Sequence, residues 1–389
     1  MTGGRVAATV PPTRSRRGEV ALHTKLAPAP AGGYRPLERM GVAELESLRV
    51  ILRGGSVIDW RRLNFRDRAE VDSYLRLNQF DHEDSRDERR LRAILAQAVE
   101  YLRCVFGYRV AEPVAQPEDL RDLFLLASGT VEPRRYRRIA CVVLKVMHVI
   151  HHLEARELLF RTPLRESDLA QRAHRRIMAE AERMRAAGLP VLEFAGNSKS
   201  RDSLVTKLLA KKESVAAQVF DRVRYRVVTE RTDQIAPVVW HLTQTLFPFN
   251  YAVPGQTQNN LVGFQDLLAA HPRRGQIIPE LQLPADLERR DPVRKRNEFS
   301  GRDFRVLNFV VDLPVRIDEL LPPLDPMADE LGRIVFSLVE FQVVDAATAA
   351  RNEEGDASHE RYKRRQHQRV LRRLSRGLVV PKKGKRGGG

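Results

Sequence analysis

Ala187-Gly-Leu-Pro-Val-Leu-Glu-Phe194 divides the chain into two kinds of sequence. Gly188 followed by Pro190 is typical of a helix end, because glycine readily adopts the left-handed conformation there and proline cannot continue the helix. Val191-Leu-Glu-Phe194 is a short run of the kind that forms strands. The stretch therefore predicts that a last helix ends near residue 187 and that a sheet begins at residue 191.

Upstream of this stretch, apolar residues recur at the spacing of amphipathic helices, which predicts a helical domain over residues 36–188. The helices are expected at Val42–Leu52, Asp67–Leu77, Asp87–Phe106, Glu118–Ala127, Arg135–Leu159 and Glu166–Ala187. Residues 1–35 are rich in Pro, Gly, Ala and Arg and lack apolar periodicity, so we expect a disordered basic segment there.

Downstream, short β-rich runs alternate with helical patterns over residues 189–375. The strands are expected at Val191–Phe194, Val219–Thr229, Phe304–Leu313 and Ile334–Val344, and the helices near Asp202–Lys212, Asp233–Phe247 and Ala346–Leu374. Residues 253–300 are rich in proline and polar residues and predict an irregular insertion with one helix at Leu261–Ala270. The fold class is thus α+β: a helical N-terminal region followed by a mixed sheet flanked by helices.

The formal net charge of +17 is concentrated near the C-terminus, where residues 361–389 hold twelve Lys or Arg and no acid. The rest of the chain then carries about +5, an ordinary value for its size. Such a tail can contact RNA, the ribosome or anionic lipid by counterion release. A solvated helix end followed by a disordered basic tail at 376–389 explains the same residues equally well.

The sequence contains no apolar run long enough to span a membrane and no apolar core of a secretory signal. We therefore predict a cytoplasmic protein without membrane insertion. Cys104 and Cys141 lie in apolar helical patterns without a CxxC partner, so they are expected to be buried thiols.

Several residues after the dividing stretch could hold a polyphosphate. Lys199, Ser203 and Lys207 are spaced four residues apart, so a helix would place them on one face. Asp221 lies within one predicted strand and Glu340 within another, and carboxylates are suitable ligands for Mg²⁺. Metal ions and cationic side chains are what phosphoryl transfer requires. The alternative is ordinary surface ion pairing.

These residues belong to an ordered series of motifs. Lys199-x-x-x-Ser203-x-x-x-Lys207 is followed by Asp221-x-x-x-x-Arg226, by Val339-Glu340-Phe341-Gln342 and by His359-x-x-Tyr362-Lys363. The series resembles that of the synthetase domain of the RelA/SpoT family, the (p)ppGpp synthetases. In that family the motifs are Lys…Ser…Lys, Asp…Gly-x-Arg, Gly-Tyr…Leu-His, Glu-x-Gln-x-Arg and His…Tyr-Lys.

The resemblance implies a nucleotidyltransferase-like fold over 189–375 that transfers pyrophosphate from ATP to the 3′-hydroxyl of GDP or GTP, or to a related acceptor such as an RNA 3′ end. It implies Mg²⁺ as the cofactor and Asp221 as its ligand. Glu340 would help to hold the metal or activate the attacking hydroxyl. The nucleotide- and phosphate-binding residues that it implies are Lys199, Ser203, Lys207, Arg226, Phe304, Asn308, Gln342, His359 and Lys363.

The chain also departs from the family pattern. Asn197 stands where the family has an arginine associated with the ATP adenine, and bulkier residues, Tyr225 among them, replace the glycine of the Asp motif. Phe304 replaces the family's tyrosine, which stacks on the acceptor guanine. Asn308 replaces a histidine of the family, and Val344 replaces an arginine. The sequence thus predicts a divergent GTP pyrophosphokinase-like enzyme. The alternative is a catalytically degenerate nucleotide- or RNA-binding regulator on the same fold.

Two further patterns leave alternatives open. Arg222, Arg224 and Arg226 alternate along a predicted strand, so they could line a phosphate groove, or two of them could be solvated or paired with acids of the last helix. His148 and His152 lie one helical turn apart, a spacing that can bind a metal. Without a His-Asp doublet we interpret them as a packed or surface cluster, and no hydrolase activity is predicted.

Overall fold

The computed structural model describes residues 20–25, 35–55, 63–198, 201–210, 223–281, 303–321, 330–354 and 359–375. Apart from one strand near the N-terminus, helical segments precede a mixed sheet, as predicted for the α+β class. The helices are α1 Val42–Arg53, α2 Arg68–Leu77, α3 Ser85–Phe106, α4 Glu112–Ala115, α5 Leu120–Ser128, α6 Arg137–Arg161, α7 Glu166–Ala186, α8 Arg201–Ala210, α9 Ile235–Thr245, α10 Phe264–Ala270, α11 Arg274–Glu280, α12 Ala346–Glu353 and α13 His359–Leu374. The strands are β1 Val20–Lys25, β2 Val191–Ser198, β3 Val223–Thr229, β4 Gln258–Asn259, β5 Leu307–Arg316 and β6 Ile334–Asp345.

The strands form one sheet in the order β1-β2-β3-β6-β5-β4. Strands β3 and β6 are parallel, and every other neighbouring pair is antiparallel. More than a hundred residues of chain separate β3 from β6, and a parallel pair requires such a crossover. The two central strands are therefore brought together by long-range pairing rather than by a hairpin.

One face of the sheet is apolar. Tyr225 lies opposite Phe341, which lies opposite Phe309, so the three rings share a face, and all are fully buried. Helices α1, α7 and α9 contribute to the same core. Burying each ring stabilises the fold by about 2 kcal/mol. Gly196 lets Tyr225 approach β2, because a Cβ at residue 196 would lie 2.9 Å from Cε1 of the tyrosine.

Helices α2, α3, α5 and much of α6 enclose a second core. Phe65, Tyr74 and Phe124 pack there with ring centroids 5.2 to 5.9 Å apart. Helix α7, in contrast, contributes Ala173, Ile177 and other apolar residues to the core of the sheet. The six long helices predicted upstream of residue 188 are confirmed within two residues at every end. The predicted domain boundary stays a prediction.

The expectation that residues 1–35 lack structure is wrong for Val20–Lys25, which form β1 and pair with residues 193–198 of β2. The backbone of β2 offers a row of donors and acceptors, and a strand added at that edge satisfies them. This pairing partner lies about 170 residues away in the sequence, too far for a local pattern to reveal.

Two other elements differ from the prediction. The single helix expected over Ala346–Leu374 is interrupted, because Glu354 has an extended backbone with φ −98° and ψ 157°. The predicted insertion contains β4 and a second helix, α11, in addition to the helix found at α10. Pro279 lies inside α11 and obscured the helical pattern there.

The prediction that both cysteines are buried thiols is wrong for Cys104. Cys104 is exposed rather than buried, because it lies on the outer side of α3, while Cys141 is half-buried and its thiol donates to the carbonyl of Ala127 at 3.3 Å. Among the helices that the structure describes, none combines the length and apolar character needed to cross a bilayer.

Candidate functional site

The face of the sheet opposite the buried rings carries polar side chains on four adjacent strands. Asn197, Arg224 and Glu340 lie side by side across β2, β3 and β6, and one step along the strands Arg226, Gln342 and Asn308 lie side by side across β3, β6 and β5. We call these six residues the polar face. The same register turns Tyr225 toward the apolar core, so the bulky residue noted in the sequence does not occupy the site.

Glu340 is at the centre of the polar face and is 4% exposed. Its Oε2 atom accepts a hydrogen bond from Nε of Arg224 at 2.8 Å, and its Oε1 atom accepts one from Nδ2 of Asn308 at 2.6 Å. A guanidinium–carboxylate bond is charge-assisted and therefore stronger than a neutral one. The carboxylate thus holds together side chains of β3, β6 and β5.

Arg226 lies one step further along β3 and forms an ion pair with Glu353 of α12 at 3.2 Å. The sequence leaves pairing with an acid of the last helix open for two of the three alternating arginines and favours Arg226 as the phosphate contact. In the structure Arg226 forms the pair with the helix acid, and Arg224 pairs with Glu340 of β6. The Arg226 and Glu353 side chains are substantially exposed, so their pair contributes at most about 1 kcal/mol to stability. A polyanionic ligand could therefore displace Glu353 at little cost.

Two amide oxygens on the polar face are buried and accept no hydrogen bond from any residue that the structure describes. They are Oδ1 of Asn197 and Oδ1 of Asn308. A buried acceptor without a donor costs about 1–3 kcal/mol. Such atoms are rare in folded proteins, and a bound ligand that donates N–H or O–H groups would satisfy them.

The polar face ends in a small apolar cluster. Val344, two residues beyond Gln342 on the same side of β6, packs with Val228 and Val306, and Phe304 packs half-buried against this cluster. Asn260 fixes the backbone there, because its Nδ2 donates to the carbonyl of Phe304 and its Oδ1 accepts from the amide of Val306, both at 2.7 Å. The predicted stacking residue thus lies at the margin of the site.

Helices α8 and α13 bring the first and last motifs together. Ala210 and Val370 are buried between them, and Leu209 and Tyr362 pack against that pair. Ser203 lies on α8 and the exposed Lys363 on α13. The remaining predicted residues lie outside the description: Lys199 and Asp221 entirely, and Lys207 and His359 in their side chains.

The position of Glu340 does not fit a Mg²⁺ ligand. Both carboxylate oxygens already accept bonds from protein donors, and the Arg224 guanidinium lies at 2.8 Å. A Mg²⁺ ion must approach an oxygen to about 2.1 Å, which would place two cations side by side. Within the described ranges there is also no group of three or more His, Cys, Asp or Glu residues that could hold a metal ion. Asp221, the other expected ligand, lies outside them.

His148 and His152 belong to a buried aromatic cluster, as interpreted from the sequence. The His152 ring stacks on Phe336 with centroids 4.1 Å apart, and the His148 ring lies 4.3 Å from that of His152. Burial lowers the pKa of both imidazoles, that of His152 to about 4. The cluster is therefore uncharged at neutral pH and joins α6 to the sheet.

Asp312 is a residue of interest that sequence reasoning missed. It lies on β5, on the same side of the sheet as the polar face, and its Oδ2 atom is 3.7 Å from Nε2 of His152. Burial raises the pKa of its carboxyl group to about 7. The available signal was an acid in the middle of the apolar run Phe309–Leu313.

No family model matches the chain, and no curated protein matches it either. Among solved structures it is similar to small alarmone synthetase 1 from Bacillus subtilis bound to its product pppGpp, with 15% identity over 54% of this chain and 84% of that one and a TM-score of 0.26. It is similar to small alarmone synthetase 2 from the same organism, with 13% identity over 55% and 96% of the two chains and a TM-score of 0.26. Another structure of small alarmone synthetase 1 from Bacillus subtilis is similar to it with 14% identity over 58% of this chain and 87% of that one, and a TM-score of 0.25.

Proposed function

We propose that the polar face binds the polyphosphate of a nucleotide and that the chain transfers pyrophosphate from ATP to the 3′-hydroxyl of GDP or GTP, or of a related acceptor such as an RNA 3′ end. The observation that carries the proposal is the convergence of separate motifs. Arg226, Gln342 and Asn308 come from three motif blocks and lie side by side on adjacent strands. The buried Oδ1 atoms of Asn197 and Asn308, which accept no hydrogen bond from any described residue, support a ligand with hydrogen-bond donors.

In this reaction the acceptor 3′-oxygen forms a bond to the β-phosphorus of ATP. The bond between that phosphorus and the oxygen bridging to the α-phosphorus breaks, AMP leaves, and the hydroxyl proton passes to a base or to water. Such chemistry depends mainly on positioning and on charge. Arg226 would bind phosphate oxygens, and Gln342 and Asn308 would orient a ribose through their amides. The Lys199, Ser203, Lys207, His359 and Lys363 side chains remain proposed phosphate or nucleotide contacts.

The test is a transfer assay. Purified protein is incubated with ATP labelled in the β-phosphate, Mg²⁺ and GDP, GTP or tRNA, and labelled acceptor is measured. We expect transfer by the natural chain and a loss of at least about a hundredfold in Asp221→Asn, the size typical of removing one group that stabilises developing charge. The matched control is Asp233→Asn, an exposed acid paired with Arg231. Transfer that survives Asp221→Asn unchanged would contradict the assigned role of Asp221.

A second candidate is a nucleotide- or RNA-binding regulator without catalysis. It is favoured by one observation, that both oxygens of Glu340 are engaged by Arg224 and Asn308. In that case binding would occur without labelled product. RNA binding by the basic tail would weaken steeply with salt and on deleting residues 376–389. The deletion should begin after Ser375, because Val370 of α13 packs against α8.

A further inference from the structure

Arg224 lies beside the Glu340 carboxylate, where a metal-dependent site would bind a divalent cation. It lies on β3 directly beside Glu340 on β6, the two side chains meet at 2.8 Å, and the arginine is about a quarter exposed while the glutamate is almost fully buried. The carboxylate therefore already has a positive partner supplied by the chain. Asn308 engages its second oxygen from the other side.

The chemistry of this pair suits a phosphate group. A guanidinium is always charged and planar, and it carries five N–H donors in a fixed fork that matches phosphate oxygens. The bond from Nε to Glu340 fixes the plane of that fork on the polar face. Asn197 lies opposite Arg224 on β2, and its buried Oδ1 atom accepts no hydrogen bond from the residues that the structure describes.

An ion pair kept only for stability is a weaker explanation. Taking two charges out of water costs several kcal/mol, and apolar residues of similar volume often stabilise such a position better. Val310, which lies opposite Glu340 on β5, shows that an apolar residue can be buried on this face. The charged pair in the two central strands is therefore better explained by a ligand.

We propose that Arg224 takes the place of a divalent cation beside Glu340, so that the chain binds a nucleotide polyphosphate without a metal ion at this carboxylate. Glu340 is then a positioning residue that orients the guanidinium, and Arg224 contacts phosphate. The inference rests on the proposed function of the polar face. It assigns Glu340 a role different from the metal ligand that the sequence motif implies.

The experiment measures the binding of labelled ATP to the full chain by equilibrium dialysis, in excess EDTA and in excess Mg²⁺. The variants are Arg224→Gln and Glu340→Gln, and the matched control is Arg231→Gln, an exposed arginine just after the same strand. We expect the natural chain to bind ATP in both buffers, with dissociation constants that differ by less than about threefold. A tenfold difference would correspond to about 1.4 kcal/mol. The control should match the natural chain.

Arg224→Gln should bind at least about tenfold more weakly in EDTA, and Mg²⁺ should restore part of the loss because the Glu340 carboxylate has lost its cation. A purely structural role would not create dependence on Mg²⁺. Glu340→Gln should bind ATP more weakly than the natural chain does, and its dissociation constant should be the same in EDTA and in Mg²⁺. Circular dichroism shows whether each variant is folded. If Arg224→Gln does not fold, Arg224→Lys is used in its place, because lysine keeps the positive charge but lacks the planar guanidinium.

Two results are contrary and can be told apart. If the natural chain binds ATP only with Mg²⁺ and Arg224→Gln behaves in the same way, the inference fails and the proposed nucleotide site stands. If the natural chain binds ATP in neither buffer, the proposed function itself fails.

Discussion

Replacing Arg176 with methionine is expected to lower the free energy of unfolding by about 3 kcal/mol. The guanidinium of Arg176, on α7, donates to three backbone carbonyls from separate parts of the chain. These are Pro314 at 2.6 Å, Leu246 at 2.6 Å and Leu77 at 3.0 Å. Burial lowers the pKa of Arg176 to about 10, which still leaves it charged at neutral pH. Methionine fills similar volume but leaves the three carbonyls without this donor.

The measurement is urea unfolding of the natural chain, Arg176→Met and Arg175→Met. Arg175 is the exposed neighbour on the same helix, so its replacement controls for the loss of a positive charge and for helix propensity. We expect the control to change the unfolding free energy by less than about 0.5 kcal/mol. Equal losses in the two variants would show that the three carbonyl bonds are not what Arg176 contributes.

Replacing Asp312 with asparagine is expected to change how stability depends on pH. Burial raises the pKa of the Asp312 carboxyl from 3.8 to about 7, against the opposing charge of Arg156. The folded protein therefore holds this proton more tightly than the unfolded chain does. Stability is fully present below the unfolded pKa and is lost as the pH rises through the folded pKa.

The full shift corresponds to about 4 kcal/mol, and we expect about 2 kcal/mol because the side chain is 27% exposed. Relative to the natural chain, Asp312→Asn should gain this amount of stability between about pH 4 and pH 7.5. His148, His151 and His152 act in the opposite sense, since burial lowers their pKa values and acid then destabilises the fold. They are present in both proteins and cancel in the difference to first order.

Chemical unfolding at a series of pH values provides the measurement, with Asp266→Asn as the control because Asp266 is an exposed acid on α10. The control should follow the natural chain at every pH. If the curve for Asp312→Asn also stays parallel to that of the natural chain, the carboxyl group titrates normally and the burial argument for Asp312 is wrong.

Local periodicity is sufficient to predict most helices and most strands. The positions at which apolar residues recur in α3 and α6, and their alternation in β6, depend only on the element itself. The same period of two correctly placed Glu340 and Gln342 on one side of β6. Features that depend on one element were therefore accessible from the sequence.

Pairings between distant elements were not accessible. The contact of Arg224 with Glu340 depends on a parallel register between β3 and β6, which are joined by a long crossover. One residue of slip would turn Glu340 to the other side of the sheet. The asparagine Asn260, which fixes the backbone beside Phe304, lies in a stretch without periodicity. Strand β1 was missed for the same reason, because its only paired neighbour, among the described residues, is the distant β2.

The central claim is that nucleotide phosphates bind at the polar face. The most direct measurement uses ATP with a photoreactive group on its γ-phosphate, followed by mapping of the crosslinked peptides with and without competing ATP. The account predicts that crosslinks abolished by competition lie in peptides containing β3, β5 or β6, near Arg226, Asn308 and Gln342. Competed crosslinks confined to the helices between residues 63 and 186, or to the tail after residue 375, would contradict it.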